Sequence, residues 1–222
     1  MTISAVIFDM DGLMLDTERI ALVVWRQAAA DLGLDLDDEV AGRMVGRTSA
    51  TNRLMLQMHF GDGFSYEELA ALADARYRET LDRDGVPRKD GLVDLLDVLK
   101  ERAVPLGVAT STARDLARHK LDRAGVAGYF DVIVGGNDVA HGKPAPDIFL
   151  RTAERLGKRP DECVVLEDSG PGIQAASDAG MVTILVPDGG RAPSADTRAR
   201  ASFIAGSLTD ARPIVERLLF GR

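Results

Sequence analysis

The stretch Ala5-Val6-Ile7-Phe8-Asp9-Met10-Asp11-Gly12 constrains this chain more than any other. Ala5 to Phe8 is an unbroken apolar run, as expected of a strand buried on both faces of a parallel sheet. It leads into two carboxylates spaced by one residue and then a glycine, so the strand ends in a polar site. A buried strand needs neighbours to satisfy its backbone groups. The rest of the chain is therefore read for strands that could flank it and for side chains they would bring to Asp9 and Asp11.

No such strand follows directly. From about residue 17 to residue 84 the pattern is helical: Ile20, Val23, Val24, Ala28 and Leu32 recur at helical spacing, and Asp16 or Thr17 can cap that helix before Gly33 ends it. Further helices are expected from about Thr48 to Met58 and from Ser65 to about Leu81, where Ser65-Tyr66-Glu67-Glu68 has the form of a capping box. The segment 84–91, rich in Gly, Pro and charge, reads as a linker. Beyond it, apolar runs at Val104–Ala109, Tyr129–Val134, Cys163–Leu166, Met181–Val186 and, more weakly, Ser202–Ile204 alternate with helical stripes. The expectation is an α/β fold: a doubly wound, Rossmann-like parallel sheet with helices on both faces. Its core domain is discontinuous, residues 1–15 with 86–222, and residues 16–85 form an inserted helical-bundle cap domain.

In such a sheet ligands bind at the carboxyl ends of the strands. Three later strand ends carry polar residues: Thr110-Ser111-Thr112, Gly135-Gly136-Asn137-Asp138 with Lys143 shortly after, and Glu167-Asp168-Ser169. Taken singly, each has a structural explanation as a turn, a helix cap or a solvated charge. Together, in this order at successive strand ends, they place several carboxylates, hydroxyls and one lysine at one pole. Clustered carboxylates repel unless a cation neutralises them, and oxygen ligands of this kind suit Mg²⁺. A carboxylate beside Mg²⁺ and a lysine can attack a phosphoryl group to give an aspartyl-phosphate. The hydroxyl and N–H groups of Thr110 and Ser111 would hold phosphoryl oxygens.

Composition matters here for what it excludes. Among 222 residues, 35 acidic against 27 basic side chains give a formal net charge of -8, so a broad basic face for nucleic acid is not expected and an anionic substrate must be met by local cations. Cys163, the single cysteine, lies in an apolar strand and reads as a buried, inert thiol; an internal disulfide is impossible. The start, Met1-Thr2-Ile3-Ser4, lacks the basic-then-apolar pattern of a signal peptide, so none is expected, and no apolar run approaches the ~20 residues of a membrane span. The expectation is a cytoplasmic protein that acts on a small phosphorylated metabolite, without nucleic acid or membrane partners, and a monomer by default.

These residues resemble the haloacid dehalogenase superfamily, in particular its capped phosphatases and β-phosphoglucomutase-like members. Phe8-Asp9-Met10-Asp11-Gly12-Leu13-Met14-Leu15-Asp16-Thr17-Glu18 is similar to its first motif, Ala109-Thr110-Ser111 to its second, Gly142-Lys143-Pro144-Ala145-Pro146-Asp147 to its third and Leu166-Glu167-Asp168-Ser169 to its fourth. The resemblance covers the whole chain and places the cap where the insertion lies. It implies Asp9 as nucleophile and Mg²⁺ ligand, and Asp11 as general acid and then base with its carbonyl on the metal. It further implies Thr110 and Lys143 as phosphoryl-binding groups, Asp168 as metal ligand and Glu167 as support for the metal or its waters. Similar mutases carry a His, a Lys and an Arg in the cap where Ala21, Val45 and Ser49 stand here, which favours a phosphatase over a sugar-phosphate mutase. Glu18, Arg47 and Arg78 are candidate substrate contacts, and Arg53 and Arg76 are further cations; for these arginines a solvated helix face is the competing reading. A non-catalytic, phospho-accepting Mg²⁺ module is the reading from another class; it needs neither Asp11 nor a cap.

Overall fold

The computed structural model of the chain describes residues 2–44, 49–61, 63–188 and 192–221. The chain divides into two compact units, Met1–Asp16 with Val86–Arg222 and Thr17–Gly85. Asp16 belongs with the first, its N–H donating to the Pro87 carbonyl at 2.9 Å.

The second unit is helical: α1 (Thr17–Asp31), α2 (Asp38–Met44), α3 (Ser49–Phe60) and α4 (Tyr66–Asp84). Ser65 caps α4 as its sequence suggests, its hydroxyl accepting from the Glu68 N–H at 3.3 Å. Helix α2 is absent from the sequence expectation. It is two turns long, too short for a periodic stripe to stand out, and its start is set by Asp37, whose carboxylate accepts from the Val40 N–H at 2.7 Å. Ala28, Ala29, Val40, Met44, Leu56, Tyr66, Leu69 and Ala73 form this unit's own core. Trp25 packs against Tyr66 with ring centroids 5.9 Å apart.

The other unit holds a six-stranded sheet of β1 (Ala5–Phe8), β2 (Leu106–Ala109), β3 (Val132–Val134), β4 (Cys163–Glu167), β5 (Val182–Leu185) and β6 (Phe203–Ile204). The order is β3-β2-β1-β4-β5-β6 and each pairing is parallel. Among the described residues six α-helices accompany it: α5 (Leu92–Glu101), α6 (Arg114–Arg123), α7 (Asp147–Arg155), α8 (Gly170–Asp178), α9 (Ala195–Arg200) and α10 (Leu208–Phe220). The sequence does not announce α9: of its six residues only Thr197 is buried, so no apolar period exists to be read.

Strand β1 is the centre of this arrangement. Ala5 and Ile7 point to one face, where they meet Ile148, Phe149 and Ala153 of α7 and Ala175 and Ala176 of α8. Val6 and Phe8 alternate to the opposite face, where Phe8 meets Phe130 edge to face at 5.9 Å. Val6, Ile7 and Phe8 are fully buried, and each such side chain contributes about 1.5–3 kcal/mol. Gly107 lets α7 approach β2, since a Cβ there would lie 2.6 Å from Thr152. Cys163 is fully buried at the start of β4, and burial pushes its thiol up to about 11, in keeping with an inert core residue.

Candidate active site

Chain order explains where the polar residues meet. From β1 the chain builds outward through β2 and β3, then returns to lay β4, β5 and β6 on the other side. The reversal falls between β1 and β4, and crevices form at the carboxyl ends of strands at such switch points. Register finishes the placement. Phe8 pairs with Leu166 and with Val108, so Asp9, just past the end of β1, stands beside Glu167 and Ala109, the last residues of β4 and β2, with Thr110 next in the chain. The Asp9 N–H still donates to the Leu166 carbonyl at 3.0 Å.

Lys143 reaches into this group from the segment before α7. Its ammonium donates to Asp9 Oδ1 at 2.5 Å, to Glu167 Oε1 at 2.6 Å and to the Ala109 carbonyl at 3.1 Å. Glu167 is fully buried, and its other oxygen accepts from both the N–H (2.6 Å) and the hydroxyl (2.9 Å) of Ser169, the residue that caps α8. Two glycines make room for the carboxylates. A Cβ at Gly172 would lie 1.7 Å from Glu167 Oε1. Gly12, at φ +88°, carries the turn after Asp11 past Asp168, where a Cβ would lie 2.4 Å from Oδ2.

Asp9, Glu167 and Asp168 bring oxygens within 4.8 Å of one another. Three carboxylates face one ammonium, an excess of negative charge in a buried place. Burial drives Asp9 up to about 7 against the pull of Lys143, and burial, aided by Asp9 and Glu167, drives Asp168 up to about 9. Burial alone would push Lys143 down, but Asp9 and Glu167 outweigh it and hold the ammonium above its ordinary value. The lysine stays charged, and Asp9 and Asp168 carry the upward shifts. An all-oxygen, net-negative donor set of this kind fits a hard divalent cation.

A stability consequence follows. Folded Asp9 and Asp168 keep protons that the unfolded chain, with carboxyl groups near 3.8, has already lost. Stability of the metal-free protein is therefore expected to fall as pH rises from about 4 through about 9. Added Mg²⁺ should raise the melting temperature more at about pH 8.5 than at about pH 5. Thermal melts with chelator and with Mg²⁺ across that range check this; a metal-free protein that grows more stable over the window would contradict it.

The other expected residues distribute as follows. Asp11 stands beyond Asp9, 28% exposed at its side chain. Thr110 is buried, its N–H on the Val134 carbonyl and its Oγ accepting from the Thr112 N–H at 3.1 Å. Ser111 is exposed on the same loop, which rests on the paired glycines that follow β3: a Cβ at Gly136 would lie 2.4 Å from the Ser111 carbonyl. Glu18 lies in the first turn of α1 in the helical unit. Arg47 falls outside the described residues, as does Val45. Arg53 pairs with Glu67 and lies over the Tyr66 ring, Arg76 pairs with Asp31, and Arg78 with Asp74. All three partners lie in the same unit; Arg53 and Arg78 are exposed, whereas Arg76 is half-buried, with its Nε buried and without a hydrogen-bond partner among the described residues.

Lys120 escaped the sequence reading, and Thr112, expected at this pole, was not assigned to Asp11. Thr112 donates its hydroxyl to Asp11 Oδ2 at 2.7 Å, and Lys120, from the last turn of α6, donates to Oδ1 at 2.8 Å. The available signal was the stripe Ala117, Lys120 and Leu121, which sets a lysine on the buried face of a helix.

Comparison with known proteins agrees with this geometry. A model of the haloacid dehalogenase-like hydrolases matches residues 3–180. The phosphorylated carbohydrates phosphatase of Thermotoga maritima is 32% identical over 180 residues, covering 81% of this chain and 83% of that protein. The fructose-1-phosphate phosphatase YqaB of Escherichia coli is 35% identical over 186 residues, 82% of this chain and 96% of that one. Among solved structures, a presumed β-phosphoglucomutase from Thermotoga maritima superposes with a TM-score of 0.85 at 28% identity, over 97% of this chain and 99% of its own. Sequence, sheet order and the strand-end cluster lead to one family, and the chain belongs to the haloacid dehalogenase-like hydrolases.

Proposed function

We propose that this enzyme is a Mg²⁺-dependent phosphatase that hydrolyses a small, sugar-phosphate-like metabolite through an aspartyl-phosphate at Asp9. The observation that carries the reading is the single cluster in which the Asp9 carboxylate sits against the Lys143 ammonium at 2.5 Å and shares a pocket of oxygens with Glu167 and Asp168. Asp9, Asp168 and the Asp11 backbone carbonyl would hold Mg²⁺, with Glu167 supporting them while it anchors Lys143. When bound, the ion supplies positive charge that lets anionic substrate and carboxylate approach.

The chain's own residues supply the rest. Lys143 fixes Asp9 and presents positive charge to the transferring phosphoryl group, and the Thr110-Ser111 loop offers hydroxyl and N–H donors to its oxygens. One Asp9 oxygen bonds to phosphorus as the bond from phosphorus to the substrate oxygen breaks, and Asp11 donates a proton to that oxygen. Water then attacks phosphorus, gives its proton to Asp11, and releases phosphate and free Asp9. Support for sugar-phosphate-like substrates comes from the two relatives named for phosphorylated carbohydrates and fructose 1-phosphate.

The mutase reading has the Thermotoga structure in its favour, while Ala21 lacks the hydrogen-bonding side chain that the mutases carry there. A panel of sugar phosphates with and without Mg²⁺ separates the two readings. Release of inorganic phosphate that depends on Mg²⁺ is expected; formation of a sugar-phosphate isomer from β-glucose 1-phosphate and its bisphosphate would replace the phosphatase by the mutase.

A further inference from the structure

Lys120 has no place in the reaction as described, and its side chain is only 7% exposed. A lysine is rarely kept at so buried a position without a partner. Ala117 and Leu121 flank it on the inward face of α6, and an apolar residue would complete that stripe without the cost of burying an ammonium. Among its contacts is a carboxylate at the candidate site: Nζ to Asp11 Oδ1 at 2.8 Å. Oδ2 of the same carboxylate accepts from Thr112 Oγ1 at 2.7 Å, and the Thr112 N–H donates in turn to Thr110 Oγ1 at 3.1 Å. Lys120, Asp11, Thr112 and Thr110 thus form one connected set, from the end of α6 to the loop after β2.

We propose that Lys120 is a positioning residue for Asp11, holding Oδ1 so that Oδ2 is the oxygen that passes the proton to the leaving group; this rests on the hydrolytic reading above. The chemistry of Lys120 and Thr112 makes them unequal as partners. An ammonium only donates, so Oδ1 beside Lys120 cannot carry a proton and keep that bond, whereas the Thr112 hydroxyl accepts as readily as it donates. When Asp11 holds a proton, Thr112 can reverse its hydrogen bond and leave the Lys120 contact unchanged. The carboxylate then keeps one orientation through both half-reactions, as acid in the first and base in the second.

Leaving-group dependence tests this. For each protein, kcat/KM is measured with an alkyl phosphate, whose alkoxide needs a proton to depart, and with 4-nitrophenyl phosphate, whose phenolate does not. Lys120→Met should lose about a hundredfold on the alkyl ester and less than about threefold on the aryl ester. Lys120→Arg, which restores a buried cation, should recover most of the loss. Thr112→Val should show the same split, and together with Lys120→Arg it carries the comparison if Lys120→Met does not fold. Equal losses on both esters, or none on either, would overturn the role of Lys120 while leaving the phosphatase reading intact. Wild-type protein inactive on both esters would overturn the phosphatase reading itself.

Discussion

Asp9→Asn is expected to abolish Mg²⁺-dependent ester hydrolysis, by about 10⁴-fold or more, without unfolding the protein. The amide matches the carboxylate in size and can keep the hydrogen bond from Lys143, but its oxygen cannot form the bond to phosphorus. Because uncatalysed phosphate monoester hydrolysis is so slow, with enzymes supplying up to ~10²¹-fold, little background rate would remain. Stability should move the other way or not at all. Asp9 stands among Glu167, Asp168 and Asp11, and burial already drives it up to about 7, so losing its charge relieves repulsion more than it weakens the pair with Lys143. A steady-state assay and a thermal melt on the same sample check both halves. Activity within tenfold of wild type would exclude Asp9 as the nucleophile.

Lys143→Met should cost both activity and stability, the second large effect. Its ammonium touches Asp9, Glu167 and the Ala109 carbonyl and lies 5.0 Å from the Phe149 ring centroid. Side chains of Lys143, Asp9 and Glu167 are 6%, 9% and 1% exposed, so water cannot take the place of the lysine. Removing one member of a buried ionic group costs about 3–5 kcal/mol, since the others stay buried without compensation. Proton uptake by Asp9, which Lys143 no longer opposes, softens that loss as pH falls, so the destabilisation should be larger at alkaline pH than at acidic pH. In a chain of this size each kcal/mol lowers the melting temperature by roughly 2–4 °C, and a drop on the order of 10 °C is expected near neutrality. Activity should fall by about 10²–10³-fold, as when a preorganised donor to a transferring group is removed. A variant that melts and turns over like wild type would show that the lysine is incidental to the site.

The parts of this molecule that were legible in its sequence are those set by local pattern. Ala5 to Phe8 announce a buried strand, Ser65 and Glu68 announce a helix start, and the carboxylates, hydroxyls and lysine at successive strand ends announce a pole. Tertiary placement hid the rest. Lys120 is 109 residues from Asp11, and only the folded chain brings its ammonium to that carboxylate. Thr112 was expected at this pole, but its bond to Asp11, 101 residues away, is likewise a tertiary contact. Helices α2 and α9 escaped because a stripe needs more than two turns to declare itself. The glycines at 12 and 172 are plain in the sequence, but the carboxylates that exclude any side chain from them become visible only in three dimensions.

Direct capture of the intermediate decides the central claim. Wild-type protein is mixed with Mg²⁺ and a phosphate ester it hydrolyses, quenched in acid within a turnover, and reduced with borohydride, which converts an acyl phosphate to the alcohol. Mass spectrometry of the peptide that carries residues 5–12 should then find homoserine at position 9, present only with both ester and Mg²⁺, and absent in Asp9→Asn. Reduction at Asp11 or Asp168 instead, or hydrolysis that proceeds with no reducible carboxyl anywhere in the chain, would contradict the account.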